Sequence, residues 1–246
     1  MLRFFRQIRQ RLLTDNKFSK YLLYAVGEIL LVVIGILIAL QVDNWNENRK
    51  ALAQENELLE EVQEGLISDL NLINLCISDH EQFIRSQDFI VQWIDQKLPY
   101  RDSLIPHFKH TFWTKLFSVK DAPYETLKVF GIQNLSNKEL GHQISNLYDV
   151  VYEDLFYWQN EQKNNSLHFR NTHDQIGFEF LPDFGDGSLQ LDLRPVNPKA
   201  LQYNKAYLLN LKMTRGTLSI FNMQLKEARS QIKRTIEMIE SELSAI

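Results

Sequence analysis

Cysteine is almost absent. Cys76 stands alone among 246 residues, so no intramolecular disulfide can form. Its neighbours are apolar residues at helical spacing. The expectation is a small core side chain, with an intermolecular bridge as the alternative. Glycine and proline are also scarce, 9 and 6 residues. That shortage works against a strand-rich, turn-rich fold and favours long helices. A Gly-x-Ser-x-Gly elbow, a P-loop and a Gly-x-Gly-x-x-Gly turn are all missing. Basic charge is missing from most of the chain. The net charge is -4, yet residues 1–20 carry Arg3, Arg6, Arg9, Arg11, Lys17 and Lys20 against Asp15. Beyond them, and leaving aside Glu28, 21 basic residues face 29 acidic ones. A large domain of that sign lacks the cationic face that phosphate recognition needs, which argues against nucleic acid as a partner.

What the chain does have is one long apolar run. Tyr21 to Val42 is 22 residues with a single ionisable group, Glu28. At 1.5 Å per residue this crosses a hydrocarbon core of about 30 Å. A cleaved signal would have a shorter apolar core and small residues before the cut, so the expectation is an uncleaved signal-anchor. Tyr21, Tyr24 and Trp45 sit near its ends, where amphipathic rings prefer the interface. The basic flank precedes the run and an acidic, amide-rich flank follows it. The positive-inside rule then predicts a cytoplasmic N-terminus and a C-terminal domain outside, periplasmic in a Gram-negative inner membrane. Residues 2–14 place Leu2, Phe5, Ile8 and Leu12 on one face among arginines, as in a helix lying on an anionic leaflet. The alternative is a disordered basic flank. Glu28 is costly in lipid. Gly35 lies seven residues on, on roughly the same face, and Gly35-x-x-x-Ala39 permits close helix contact. Glu28, Gly35 and Ala39 are the candidate transmembrane packing residues, set against a monomeric anchor that tolerates a carboxylate near the interface.

The rest reads as helices. Residues 46–98 contain no proline and one glycine, Gly65. Steps of three and four from Leu52 pass through Leu59, Leu66, Leu70, Ile73, Ile77, His80, Ile84, Gln87, Val91, Ile94 and Leu98. The stripe is thin before Leu66, which suggests a solvated stalk over 43–65. It widens afterwards through Ile67, Leu72, Leu75, Phe83, Phe89, Ile90 and Trp93, as in a packed bundle over 66–246. Pro99 ends the run. Phe108, Phe112, Trp113, Leu116 and Phe117 fit an amphipathic helix. Pro123 suits the first turn of another ending at Gly131, and Ser136-x-x-Glu139 has the form of a capping box for a third. That helix carries the stripe Leu140, Ile144, Leu147, Val151, Leu155 and Trp158. Period-two alternation of Ile176, Phe178 and Phe180, then Leu189, Leu191 and Leu193, around a turn-rich Pro182–Gly187, suggests a small hairpin. After Pro198 a last long helix shows the stripe Leu211, Leu218, Phe221, Leu225, Ala228, Ile232, Ile236, Ile239 and Leu243. The expected fold is all-α: one transmembrane helix, then an antiparallel bundle of about four major helices with a possible β-hairpin.

The opening, Phe4 to Glu47, closely resembles an uncharacterised family of small single-pass membrane proteins of Bacteroidota, a domain of unknown function. Tyr124-Glu125-Thr126-Leu127-Lys128 followed by Gly131 also looks like that family, while Gly131-Ile-Gln-Asn departs from its Gly-Asn pattern. The resemblance implies an inner-membrane protein facing the periplasm and carries over no activity and no catalytic residue.

Sites of chemistry are weak throughout. His107-x-x-His110 has a spacing compatible with metal binding, without an adjacent acidic or cysteine ligand; His168 and His173-Asp174 could join only through the fold. His80 falls at a seam position and needs a hydrogen-bond partner. Asp183-Phe-Gly-Asp186, with Asp192 further on, lacks the spacing of a calcium loop, and its Asp-Phe-Gly triplet stands without the rest of a kinase. No catalytic residue, metal or cofactor is expected. The candidate partner surface is Phe108, Phe112, Trp113, Phe117 and Tyr124, since aromatics are enriched at interfaces; the competing reading places them in the bundle core. The functional expectation is a membrane-anchored scaffold or accessory subunit, with the lipid bilayer and either its own copies or another envelope protein as partners. The alternative is a ligand-binding sensor-like module that signals through a partner.

Overall fold

The computed structural model describes residues 18–111, 113–183 and 190–244. The interfacial helix expected over 2–14, Phe112, and the 184–189 loop with Asp186 lie outside them. The chain divides into two compact units, residues 1–55 and 56–246.

Helix α1 spans Phe18–Asp95. In the first unit its apolar residues lack protein neighbours. The large aliphatic side chains from Leu22 to Val42 are 46–77 % exposed, from Ile34 to Leu23. This is one helical segment long and apolar enough to cross a membrane.

In the second unit, α1 is joined by α2 (Ile105–Phe108), α3 (Ala122–Phe130), α4 (Lys138–Asn146), α5 (Tyr152–Ile176), strands β1 (Phe178–Asp183) and β2 (Gln190–Pro195), α6 (Pro198–Gln202) and α7 (Lys205–Ser244). A π-helical turn, Leu147–Val151, joins α4 to α5. The fold is largely helical, as expected, and the two strands pair antiparallel, Phe180 opposite Leu193. The pairing of side chains shows helix directions. Glu81, Asp88 and Asp95, a heptad series on α1, meet Lys226, Arg215 and Lys212 on α7. Numbers rise on one helix as they fall on the other, so α1 and α7 are antiparallel. Gln143 with Gln231 and Asn165 with Thr217 show α4 and α5 antiparallel to α7 as well.

Two expectations fail here. The fourth helix of the bundle is replaced by a return segment, residues 99–137, of short helices and irregular chain. The amphipathic helix expected through Phe108–Phe117 stops at Thr111, after α2 and a 3-10 turn. Residues 113–121 form neither helix nor strand, and their backbone groups find partners elsewhere, as shown below. Packing also begins before the expected stalk ends: Leu58, Leu59 and Val62 are buried in the core. Conversely Ile67, Leu75 and Phe89 are about half exposed and do not widen the buried face.

Helix ends follow local chemistry. The terminus of α1 is not set by Pro99. Leu98 N–H donates to Trp93 O at 3.1 Å and Lys97 N–H to Ile94 O at 3.3 Å, with Lys97 at φ 53. This is the Schellman pattern with lysine at the position glycine usually takes. Lys97 is held there by its ammonium, which donates to Gln202 O at 2.7 Å and lies 4.2 Å from the Tyr203 ring centroid. The cap of α4 is Asn137, not Ser136: its Oδ1 accepts from Leu140 N–H at 3.0 Å. The last helix is broken at Tyr203-Asn204, where Asn204 caps α7 through Tyr207 N–H at 2.9 Å. Gly131 closes α3 at φ 99, and a Cβ there would fall 2.7 Å from Asn134 Nδ2. Gly131→Ala should therefore cost about 1–3 kcal/mol, read as a lower melting temperature by circular dichroism.

Candidate functional site

The most built-up polar region is the face of α1 that holds the return segment. Asp69, Cys76, His80 and Gln87 are spaced by seven, four and seven residues, so they share one helical face. All four are buried. Each addresses the backbone of the returning chain. Gln87 Nε2 donates to His110 O at 2.9 Å, His80 Nε2 to Lys115 O at 2.9 Å, and Cys76 Sγ to Leu116 O at 3.7 Å. Asp69 Oδ1 accepts from Lys120 N–H at 3.0 Å. From α5, Gln159 clasps one residue on both sides: Phe117 N–H donates to its Oε1 at 2.7 Å, and its Nε2 donates to Phe117 O at 3.2 Å. Side chains thus do for residues 110–120 what a helix would have done internally. Gly65 lets the segment pass close, with Lys120 O 3.4 Å from where a Cβ would sit.

Burial sets the protonation of these groups. Because a carbonyl can only accept, His80 Nε2 carries its proton toward Lys115 O. Desolvation lowers the His80 pKa to about 4, so the ring is neutral at pH 7. Burial pushes the Cys76 thiol up to about 11 and leaves it unreactive. Asp69 is pushed up to about 6, chiefly by desolvation, with the Tyr152 hydroxyl (2.9 Å) and Lys120 N–H opposing the rise. Tyr152 leads an aromatic stack: Tyr148 meets it edge-on at 5.2 Å and lies parallel to Tyr124 at 4.2 Å. Tyr124 donates to Asp149 at 2.6 Å.

His107 and His110 converge on one oxygen. Ser86 Oγ lies 3.1 Å from His107 Nδ1 and 2.9 Å from His110 Nδ1. A hydroxyl has one proton, so one ring accepts it and the other donates. Phe89 packs on His107 and Phe83 on His110, with centroids 4.9 and 4.8 Å apart. Desolvation lowers His107 and brings His110 to about 4. This arrangement fastens α2 to α1. Among the described residues no group of three or more His, Cys, Asp or Glu is placed to hold a metal ion. Asp192 is salt-bridged to Lys109 at 2.8 Å, in the fold rather than in a cation loop.

The aromatic set chosen as a partner surface is split. Phe108, Phe117 and Tyr124 are buried and belong to the two hydrophobic cores, so they are not a surface. They face inward because the segment bearing them is clamped along α1. Trp113 is 45 % exposed and does lie on the surface, beside Leu116. In the first unit, Gly35 has no neighbour within 4 Å and Ala39 is exposed, while Glu28 is half-buried.

Sequence reasoning missed two features. The bond of His80 was foreseen as a need, but not its partner. Asp69, Ser86 and Gln159 carried no sequence signal, because their bonds join segments far apart in the chain. The groove beside Trp113, formed by Thr114 and Leu116 with Lys163, Ser166, Leu167 and Arg170 of α5, encloses about 290 Å³. A second opening of about 560 Å³ lies over Gly65, flanked by Glu61, Glu64 and Asp121.

These features define a mostly helical protein with one segment of membrane-spanning character and a clamped return segment. Compared with known proteins, the chain matches no family model, no curated protein and no solved structure.

Proposed function

We propose that this chain is a membrane-anchored scaffold or accessory subunit of the bacterial inner membrane, acting through helix–helix or protein–protein association. The observation that carries the reading is the state of α1 before residue 43. Its large aliphatic side chains are exposed, and open space surrounds both Gly27 and Gly35. Such a surface is satisfied by lipid and by a second helix brought close at the small residues. The basic flank before it and the acidic flank after it support a cytoplasmic N-terminus and a periplasmic domain. The resemblance of Phe4–Glu47 to the Bacteroidota family supports the same placement. Glu28, on roughly the face of Gly35, supplies a hydrogen-bonding group for the seam. The role needs no catalysis and no cofactor.

Substitution of Gly35 tests the seam. Gly35→Ile inserts a branched side chain where two helices would approach. Energy transfer between donor- and acceptor-labelled copies in lipid vesicles should fall by about tenfold in associated fraction, equivalent to about 1.4 kcal/mol. Unchanged transfer would count against association through this face.

A second reading, a ligand-binding module that signals through a partner, is favoured by the groove beside Trp113, where an indole and two cations converge.

A further inference from the structure

The groove between residues 113–116 and α5 combines exposed apolar side chains with positive charge. Trp113, Leu116 and Leu167 are 45, 46 and 47 % exposed, three large apolar side chains left half in water around one depression. Among the described residues its lining includes Lys163 and Arg170 and no carboxylate, in a chain where acids outnumber bases 31 to 27. The two cations are seven residues apart on α5, about 10 Å along one face. The Lys163 ammonium makes no hydrogen bond or ion pair among the described residues, whereas Arg170 is engaged in the fold. Between them Ser166, 8 % exposed, accepts a hydrogen bond from Gln162 Nε2 at 3.3 Å. That bond occupies the hydroxyl oxygen as acceptor and leaves its proton as a donor. Gln162 is fully buried, and its Oε1 has no partner. A buried amide costs stability unless it serves something; here it fixes a serine at the floor of a cationic, apolar groove.

We infer that this groove binds a free aliphatic carboxylate. The chain lies against Trp113, Leu116 and Leu167, and the carboxylate meets the Lys163 ammonium and the Ser166 hydroxyl. One ammonium and one hydroxyl match a monoanion with two oxygens, and Arg170 adds positive potential without being a direct ligand. The volume of about 290 Å³ is at the small end of ligand sites and fits a medium-length chain rather than a folded partner. This inference stands apart from the scaffold reading, since it concerns α5 and not the membrane segment.

The experiment uses the full chain in lipid nanodiscs and a ten-carbon alkanoic acid bearing a diazirine at its far end, with adducts mapped by peptide mass spectrometry. The expected result is labelling at Trp113–Leu116 and Lys163–Arg170 above that at Val129, which is 90 % exposed and serves as a surface control. Unlabelled decanoate should compete; decanol and decyltrimethylammonium should compete at least about tenfold less well. Lys163→Glu, an exposed substitution, should reduce labelling about tenfold while leaving the melting temperature unchanged. Labelling no greater than at Val129, or equal competition by decanol, overturns the inference. So does a groove that labels only after dilution separates associated copies, because a second copy would then be its occupant.

Discussion

Asp69→Ala should lower the unfolding free energy by about 3–5 kcal/mol, the scale expected when buried bonding partners lose their acceptor. The residue is 1 % exposed, and burial raises its pKa even though the Lys120 charge nearby opposes the rise. It accepts from the Tyr152 hydroxyl at 2.9 Å and from Lys120 N–H at 3.0 Å. Removing the carboxylate leaves a phenol and a backbone amide in the interior without partners. It also releases the return segment where Gly65 lets it approach α1. For a domain of this size the loss corresponds to roughly 10 °C in melting temperature, measured by circular dichroism on the full chain in detergent. Glu81→Ala is the control. It breaks an exposed pair with Lys226 at 2.7 Å and should cost less than about 1 kcal/mol. Equal effects from the two substitutions would refute the clamp.

Acidification should be the second large effect. His80 and His110 have their pKa values lowered from 6.5 to about 4, and His107 is lowered too, all chiefly by desolvation. Between pH 6.5 and 4 the unfolded chain binds protons that the folded chain refuses, so stability falls as pH falls through that window. Asp69 works the other way. Raised from 3.8 to about 6, it takes up a proton in the folded state first, and it adds stability as pH falls from 6 to 3.8. His80 and Asp69, both buried, are each worth about 3 kcal/mol at 1.4 kcal/mol per pH decade and act in opposite directions. The partly exposed His110, discounted for solvent screening, and His107 leave a net loss as pH falls toward 4. His80→Gln keeps an amide donor for Lys115 O and should remove about half of the histidine contribution. Asp69→Asn should steepen the acid loss. A melting temperature that does not change between pH 7 and pH 4.5 would contradict these assignments.

The long helices were legible because burial repeats at 3.6 residues and nothing interrupts it. Leu66, Ile73, Ile77 and Ile94 on α1, and Leu211, Leu218, Phe221, Leu225, Ala228, Ile232 and Ile239 on α7, are buried as their spacing predicts. The hairpin was legible for the same reason at period two. The return segment was not. Phe108, Trp113 and Phe117 recur at spacings a helix would also produce. What holds residues 113–121 outside a helix is the set of bonds from Asp69, Cys76, His80 and Gln159, which sequence spacing cannot pair with their targets. The candidate surface failed with it, leaving Trp113 outside and Phe108, Phe117 and Tyr124 within. Caps were legible to within a residue: Asn137 rather than Ser136 accepts at α4, since either side chain could reach the same amides.

The proposed association of a membrane-anchored subunit would be visible in the mass of the native assembly. The full chain would be extracted from its own membrane in a mild detergent, crosslinked, and weighed by native mass spectrometry. The expected result is a homo-oligomer or a complex of fixed stoichiometry with another envelope protein, and its loss in Gly35→Ile. A monomer with no crosslinked partner at native expression would contradict it.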